Sequence, residues 1–153
     1  MGRELASRNR RGCPLHSNQI GTMGCDIHLH FERKEKDEWK EIPIQDYLIP
    51  NDRNYELFSF LASVKGSHDG YFCDRGIPDD CSDTFLRDNP DLFSHTYAYL
   101  DEILNAPWRR HNLQDTYFHI FCRDVLPRIC TQDSTGLTGL ECRDIRVIMA
   151  FSN

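Results

Sequence analysis

Hydrophobic and polar residues alternate strictly along residues 24–32. One face carries Cys25, Ile27, Leu29 and Phe31, and the other carries Asp26, His28, His30 and Glu32. A period of two over eight residues predicts a half-buried β-strand whose apolar face packs into the core. The charged run 33–38 is typical of a turn, and Trp39 to Ile42 is predicted to return as the second strand of a hairpin.

Helical spacing follows in three later segments. Residues 53–65 repeat apolar side chains at helical intervals, with Asn51 or Asp52 as the predicted N-cap and Gly66 as the stop. Residues 96–104 are predicted to form a short helix. Residues 113–130 are predicted to form the longest helix, which Pro127 should kink or shorten.

The remaining segments complete an α+β domain. Residues 66–95 are predicted to form a long loop, which is ordered because it contains several aromatic and cysteine residues. Residues 144–151 are rich in β-branched residues and are predicted to form a last strand that pairs with the hairpin. We therefore expect residues 23–153 to form one domain with a small, mainly antiparallel sheet and about three helices. The second face of this sheet must be covered by the long loop or exposed to water.

The first 22 residues differ from the rest of the chain. They are rich in arginine and lack both a hydrophobic period and an apolar secretory core. A disordered basic extension before an internal start at Met23 is the favoured interpretation, and a transit peptide is the alternative. Without the +3 charge of this segment, the net charge falls from −6 to −9.

Composition narrows the classes of partner. The acidic body lacks the clustered lysine and arginine that grip nucleic-acid phosphates, so strong electrostatic binding of nucleic acid is not expected. No apolar stretch approaches the roughly 20 residues of a membrane span. The seven cysteines form no Cys-x-x-Cys pair, and with no secretory signal they are interpreted as reduced thiols of a cytosolic protein.

The polar face of the first strand is a candidate metal site. Alternate residues lie about 7 Å apart along a strand, so His28 and His30 can lean toward one divalent ion, zinc or manganese, with Asp26 as ligand or orienting group. Glu32 lies roughly 20 Å from Asp26 by the same rise and is excluded from that ion. His95 or His68 would complete the site. A solvated polar face without function is the alternative.

The segment from residue 74 to residue 80 is a second candidate. Arg75 suits a phosphate or carboxylate, and Asp79 and Asp80 suit a second metal or a general base. An ordinary turn and helix start, capped by Asp80 or Ser82, is the alternative. A structural zinc held by His68, Cys73 and Cys81 is a further possibility.

Several sequence blocks resemble one family of proteins. Met-Gly-Cys-Asp-Ile-His at 23–28, Arg-Asn-Tyr-Glu-Leu-Phe at 53–58, Arg-Gly-Ile-Pro-Asp-Asp at 75–80 and a block around His95 occur in this order. They resemble a family encoded by tailed phages and other large DNA viruses, whose members typically begin with the first of these blocks. This chain keeps one of the two histidines of the family's His-Ser-His-Ser block. The resemblance implies that Arg53, Arg75, Asp79, Asp80 and His95 lie opposite the strand, but it implies no activity.

The leading hypothesis from the sequence is a virus-encoded, metal-dependent hydrolase of a phosphate ester in a nucleotide or nucleic acid. The ion would be held by His28, His30 and either Asp26 or His95, and Arg75 would stabilise developing negative charge, with Asp79 or Asp80 as base. One alternative is a non-enzymatic viral accessory protein that binds a host protein. Another is a domain with a purely structural metal site.

Overall fold

The computed structural model describes residues 24–65, 69–73, 75–132 and 141–153. The predicted basic extension, the helix stop at Gly66 and the candidate ligand His68 lie outside these ranges. The strands are β1 (Asp26–Glu35), β2 (Glu38–Glu41), β3 (Phe93–Tyr99) and β4 (Ile145–Ser152). The helices are α1 (Tyr55–Ala62), α2 (Phe85–Asp88), α3 (Leu100–Leu104), α4 (Tyr117–Ile120) and α5 (Leu126–Gln132), with a π-helical turn at Phe121–Val125 and 3₁₀ turns at Asp46–Leu48 and Cys142–Asp144.

The four strands form one antiparallel sheet in the order β2-β1-β4-β3. The predicted α+β class, the hairpin and the pairing of the last strand with β1 are confirmed. β4 lies between β1 and β3, and every residue of β4 except Ser152 is buried. A strand buried on both faces carries no clear alternation of polar and apolar residues, in agreement with its β-branched and apolar sequence.

Both faces of the sheet are covered. The first face contributes Ile27, Phe31, Val147, Met149 and Phe151 to the main core, where they are packed together with α1, α3 and the α4–α5 region. The second face contributes Ile148 and Ala150 to a smaller cluster with Cys81, Leu86 and Leu92. The segment between residues 76 and 92 therefore covers the second face of the sheet, which also carries the polar side chains of β1. The loop predicted over residues 66–95 is thus interrupted by α2 and ends where β3 begins at Phe93.

The segment predicted as a helix over residues 96–104 begins as a strand. Thr96 and Ala98 are fully buried, whereas Tyr97 and Tyr99 on the opposite face are half-buried, as expected for period two. Only Leu100–Leu104 is helical. The apolar spacing across the junction resembled a helical stripe because a strand there runs directly into a helix.

The predicted helix over residues 113–130 starts later and is not regular. Helical structure begins at Tyr117, and a π-helical turn precedes the helix that contains Pro127. Proline lacks an N–H and crowds the carbonyl group four residues earlier, so a regular α-helix cannot run through this point. The wider turn lies where the irregularity expected from Pro127 must occur.

Helix α1 begins two residues later than the sequence predicted. Asn54 is the N-cap, and its side-chain oxygen accepts a hydrogen bond from the backbone N–H of Leu57 at 3.1 Å. The helix ends at Ala62, three residues before the predicted end, and the C-cap Ser63 adopts the left-handed conformation with φ 62°. The caps predicted from sequence, Asn51 and Asp52, are both exposed.

Replacing the cap should measurably destabilise the protein. Asn54→Ala leaves the N–H of Leu57 without its side-chain acceptor and should lower the free energy of unfolding by about 1 kcal/mol. Chemical denaturation measures this change. Asp52→Ala is the matched control and should have little effect. An equal loss in both variants would contradict the assignment of Asn54 as the cap.

Candidate functional site

Two of the predicted metal ligands on β1, Asp26 and His28, are each hydrogen-bonded to a different residue. Arg53 donates two hydrogen bonds to the carboxylate of Asp26, at 2.7 and 3.3 Å, and this contact lowers the pKa of Asp26. Nε2 of His28 is hydrogen-bonded to the hydroxyl of Ser152 on β4 at 2.7 Å. These two residues therefore stabilise the end of the sheet at which β1 begins and β4 ends.

Arg75 and His95 also have their own partners. Arg75 donates to both carboxylate oxygens of Glu102, at 2.7 and 2.9 Å, and to the carbonyl of Tyr97 at 3.1 Å. Nε2 of His95 donates to the carbonyl of Leu86 at 2.9 Å, and this bond ties β3 to the loop. Their assignment to a site stays a prediction. Neither belongs to the cluster around Glu32 that is described next.

Glu32 and Arg146 form a buried ion pair at the centre of the second sheet face. They are direct partners in the register of β1 and β4, and their side chains are 0% and 2% exposed. Nε of Arg146 donates to Oε1 of Glu32 at 2.6 Å. The guanidinium group also stacks 4.0 Å from the ring centre of Trp39 on β2.

The other carboxylate oxygen of Glu32 holds the loop. Oε2 accepts hydrogen bonds from the backbone N–H of Ser82 at 2.6 Å and from its hydroxyl at 2.5 Å. Nε2 of His30 donates to Oε2 at 3.1 Å and lies 2.8 Å from the Ser82 hydroxyl oxygen. Burial alone would raise the pKa of Glu32, but the hydrogen bonds from His30, Ser82 and Arg146 lower it to about 2.

Negative charge surrounds this network. Nδ1 of His30 lies 3.7 Å from Oδ2 of Asp83 and 4.0 Å from Oε2 of Glu41. Nη2 of Arg146 lies 3.0 Å from Oδ1 of Asp80, yet this buried nitrogen makes no hydrogen bond. Asp79 and Asp80 are both exposed, but Asp80 is the predicted site residue whose side chain reaches the cluster.

Three side chains at this position form a possible metal-binding group. One ligand atom from each of His30, Glu32 and Cys81 lies within 4.8 Å of the other two. The thiol of Cys81 donates to the carbonyl of Asp83 at 3.3 Å, and burial raises its pKa. We call the cluster of His30, Glu32, Cys81, Ser82 and Arg146 the Glu32 network.

Sequence reasoning missed most of this network. The distance from Asp26 excludes Glu32 from a site at the start of β1, but the cluster lies further along the strand, around His30. Arg146 did carry a signal, because it is a lone charge within the apolar strand 145–151. Cys81 was considered only together with Cys73 and His68, and Ser82 only as a helix cap.

Comparisons with protein-family models, curated proteins and solved structures found no significant match. The resemblance to the phage and large-DNA-virus family therefore stays a prediction. Among the described residues, none of the helices has the length and apolar character needed to cross a membrane.

The buried carboxylate of Glu32 should make the free energy of unfolding fall as the pH is lowered. The pKa of Glu32 is about 2 in the folded protein and 4.5 without the fold, so its stabilising contribution is complete above the higher value and is lost as pH falls toward the lower one. Glu32→Gln should remove this part of the pH dependence and lower the free energy of unfolding near pH 7 by about 3 kcal/mol.

Denaturant unfolding of both proteins from about pH 6 to pH 2 measures the effect. Glu38→Gln is the control, since Glu38 is exposed and forms only a surface ion pair with Lys40. A pH dependence that is unchanged in Glu32→Gln would contradict the assigned hydrogen bonds.

Proposed function

We propose that this protein is a metal-dependent hydrolase of phosphate esters whose cation binds at His30, Glu32 and Cys81. The observation that supports the proposal is the convergence of an imidazole, a carboxylate and a thiol within 4.8 Å on one covered sheet face. Compared with the site expected from sequence, His30 is retained, and Glu32 and Cys81 replace Asp26, His28 and His95.

The chemistry of the donor set fits zinc better than manganese. Imidazole nitrogen, carboxylate oxygen and thiolate sulfur are ordinary zinc ligands, and a thiolate is a poor ligand for manganese. Three protein ligands leave the fourth tetrahedral position open, as in catalytic zinc sites. Nε2 of His30 and Oε2 of Glu32 are 3.1 Å apart, close to the roughly 3.4 Å between two such ligands on one zinc ion.

The surrounding charges also favour a cation. Glu32, Glu41, Asp80 and Asp83 lie within 4.0 Å of either His30 or Arg146. Arg146 is the one arginine or lysine in this set of ion pairs. A divalent ion that replaces the proton between His30 and Glu32 would offset the surplus negative charge.

Arg146 and Asp80 are suited to the roles that the sequence analysis gave to Arg75 and to the Asp79–Asp80 pair. Nη2 of Arg146 makes no hydrogen bond and lies 3.0 Å from Oδ1 of Asp80, so a phosphoryl oxygen that takes the place of this carboxylate would accept a hydrogen bond from it as charge develops. Asp80 has a side chain that is 65% exposed and can accept a proton from water. The cation would supply a water molecule of lowered pKa.

A non-catalytic role is the second candidate, and one observation favours it. The carboxylate of Glu32 accepts hydrogen bonds from Arg146, His30 and Ser82, which satisfy it within the protein. In that case the network only fastens the loop to the sheet, and the exposed part of the loop is free to contact a host protein. This candidate predicts no stoichiometric metal.

Metal binding by matched variants separates these candidates. The purified protein should bind about one equivalent of zinc, and substitution with cobalt should give a thiolate-to-cobalt absorption band. His30→Ala and Cys81→Ser should abolish both signals. His28→Ala and Cys142→Ser are controls that should retain them, because neither residue belongs to the group. Absence of metal from the wild type, or equal loss in the controls, would refute the metal site.

Catalysis is tested with the zinc-loaded protein and the substrates p-nitrophenyl phosphate and bis(p-nitrophenyl) phosphate. Hydrolysis should stop when a chelator removes the metal. Asp80→Asn should lower kcat by about 10²- to 10⁴-fold, whereas Asp79→Asn, which changes an exposed neighbour, should not. Zinc binding without hydrolysis of either ester would leave a structural metal site and refute the catalytic role.

A further inference from the structure

A second candidate site lies in the helical layer, on the face of the sheet opposite the Glu32 network. An open cleft of about 450 Å³ is formed by the segment that follows α3 and by the α4 region. Its lining includes Trp108, Arg109, Arg110, Gln114, His119 and Arg123. We call it the arginine cleft. Its volume is within the range of small-molecule sites, about 300–1,000 Å³.

Positive charge is concentrated in this cleft although the chain is acidic overall. Three guanidinium groups and one carboxylate, that of Asp115, line it, in a protein with a net charge of −6. Arg123 is already paired with Asp124 through bonds of 2.9 and 2.8 Å. Within the described part of the chain, Arg109 and Arg110 are exposed and make no ion pair. Two guanidinium groups are therefore available to an anion.

Two residues that line the cleft also carry polar atoms that can accept a hydrogen bond. Oε1 of Gln114 is buried and has no hydrogen-bond partner, which is an uncommon and costly state for a buried acceptor. His119 donates from Nδ1 to the carbonyl of Gln114 at 2.8 Å, so Nε2 is an acceptor in its neutral ring. A ligand with an N–H or O–H group would supply the donor that Oε1 of Gln114 lacks.

The walls of the cleft are held in place by the core. The rings of Trp108 and His119 stack with their centroids 4.6 Å apart, and both residues are buried, at 3% and 8% exposure. The indole N–H of Trp108 donates to the carbonyl of Ile103. Since these two rings are fixed before any ligand arrives, binding has to order only the exposed arginine side chains.

We infer that the arginine cleft binds a small phosphorylated molecule that also carries an N–H or O–H donor. Guanidinium groups match phosphate oxygens in pairs of parallel hydrogen bonds, and two or more of them suit a dianion. The donor would meet the unpaired oxygen of Gln114. This inference does not depend on the proposed hydrolase, because the two sites share no residue and lie on opposite faces of the sheet.

Adenosine 5′-monophosphate, inorganic phosphate and adenosine are the probes, with binding measured by calorimetry at physiological salt and with a chelator present. The chelator prevents any metal-dependent hydrolysis, so the result is independent of the Glu32 network. The nucleotide should bind in a saturable manner and more tightly than inorganic phosphate, since it alone offers donors on groups that lie apart from its phosphate and can reach Gln114 while the phosphate contacts the arginines. Adenosine, which lacks the phosphate, should not bind measurably.

Variants locate the binding. Arg109→Ala combined with Arg110→Ala should weaken nucleotide binding by at least about tenfold, which corresponds to the loss of roughly one charge-assisted hydrogen bond. Arg87→Ala is the matched control, since Arg87 is also exposed but lies in α2 and pairs with Asp88. Gln114→Ala should weaken binding of the nucleotide and leave that of inorganic phosphate unchanged.

These measurements can also overturn the inference. No saturable nucleotide binding to the wild type, or equal affinity in the double variant, would refute the site. Equal weakening in Arg87→Ala would mean non-specific attraction of anions and would refute it as well. Inorganic phosphate that binds as tightly as the nucleotide would refute the role of Gln114. Both arginine side chains are exposed, so melting temperatures of the variants should stay near that of the wild type.

Discussion

The buried pair of Glu32 and Arg146 is the interaction on which the second face of the sheet depends. Glu32 on β1 and Arg146 on β4 are direct partners in the strand register. Arg146 stacks on Trp39, and Glu32 accepts two hydrogen bonds from Ser82 in the loop. Removing both charges from water costs several kcal/mol per ion, which only close hydrogen bonding can offset. The loop must therefore cover this face in one arrangement, because any other would leave a buried charge without partners.

The spacing of apolar residues predicted the structure correctly where a segment forms a single strand. The alternation in residues 24–32 predicted β1, and the β-branched run at the end of the chain predicted β4. It failed around residues 96–104, where β3 passes directly into α3 and the two periods merge into a spacing that resembles one helix. It also placed the start of α1 too early, because three residues within a span of four, Asn51, Asp52 and Asn54, are all suitable caps.

The candidate site was only partly predictable for a different reason. His30 and Glu32 are two residues apart, but their partners Ser82 and Arg146 are 50 and 114 residues away from Glu32. Such contacts follow from the strand order and from the path of the loop, which no local pattern encodes. The rise per residue along a strand does separate Glu32 from Asp26. However, Asp26 is paired with Arg53 and does not mark the position of the cluster. The centre of the polar face lies further along the strand.

Charge is distributed unevenly between the two faces of the sheet, so we expect the two proposed sites to favour ligands of opposite sign. Four carboxylates surround His30 and Arg146 on one face, whereas three guanidinium groups line the cleft on the other. At physiological salt, interactions between exposed charges are largely screened beyond about 8 Å. A small anion in the arginine cleft therefore responds mainly to the nearby arginines and little to the net charge of −6. A long polyanion would extend beyond the cleft over the rest of an acidic protein, so we expect the proposed site to favour a small phosphate over nucleic acid.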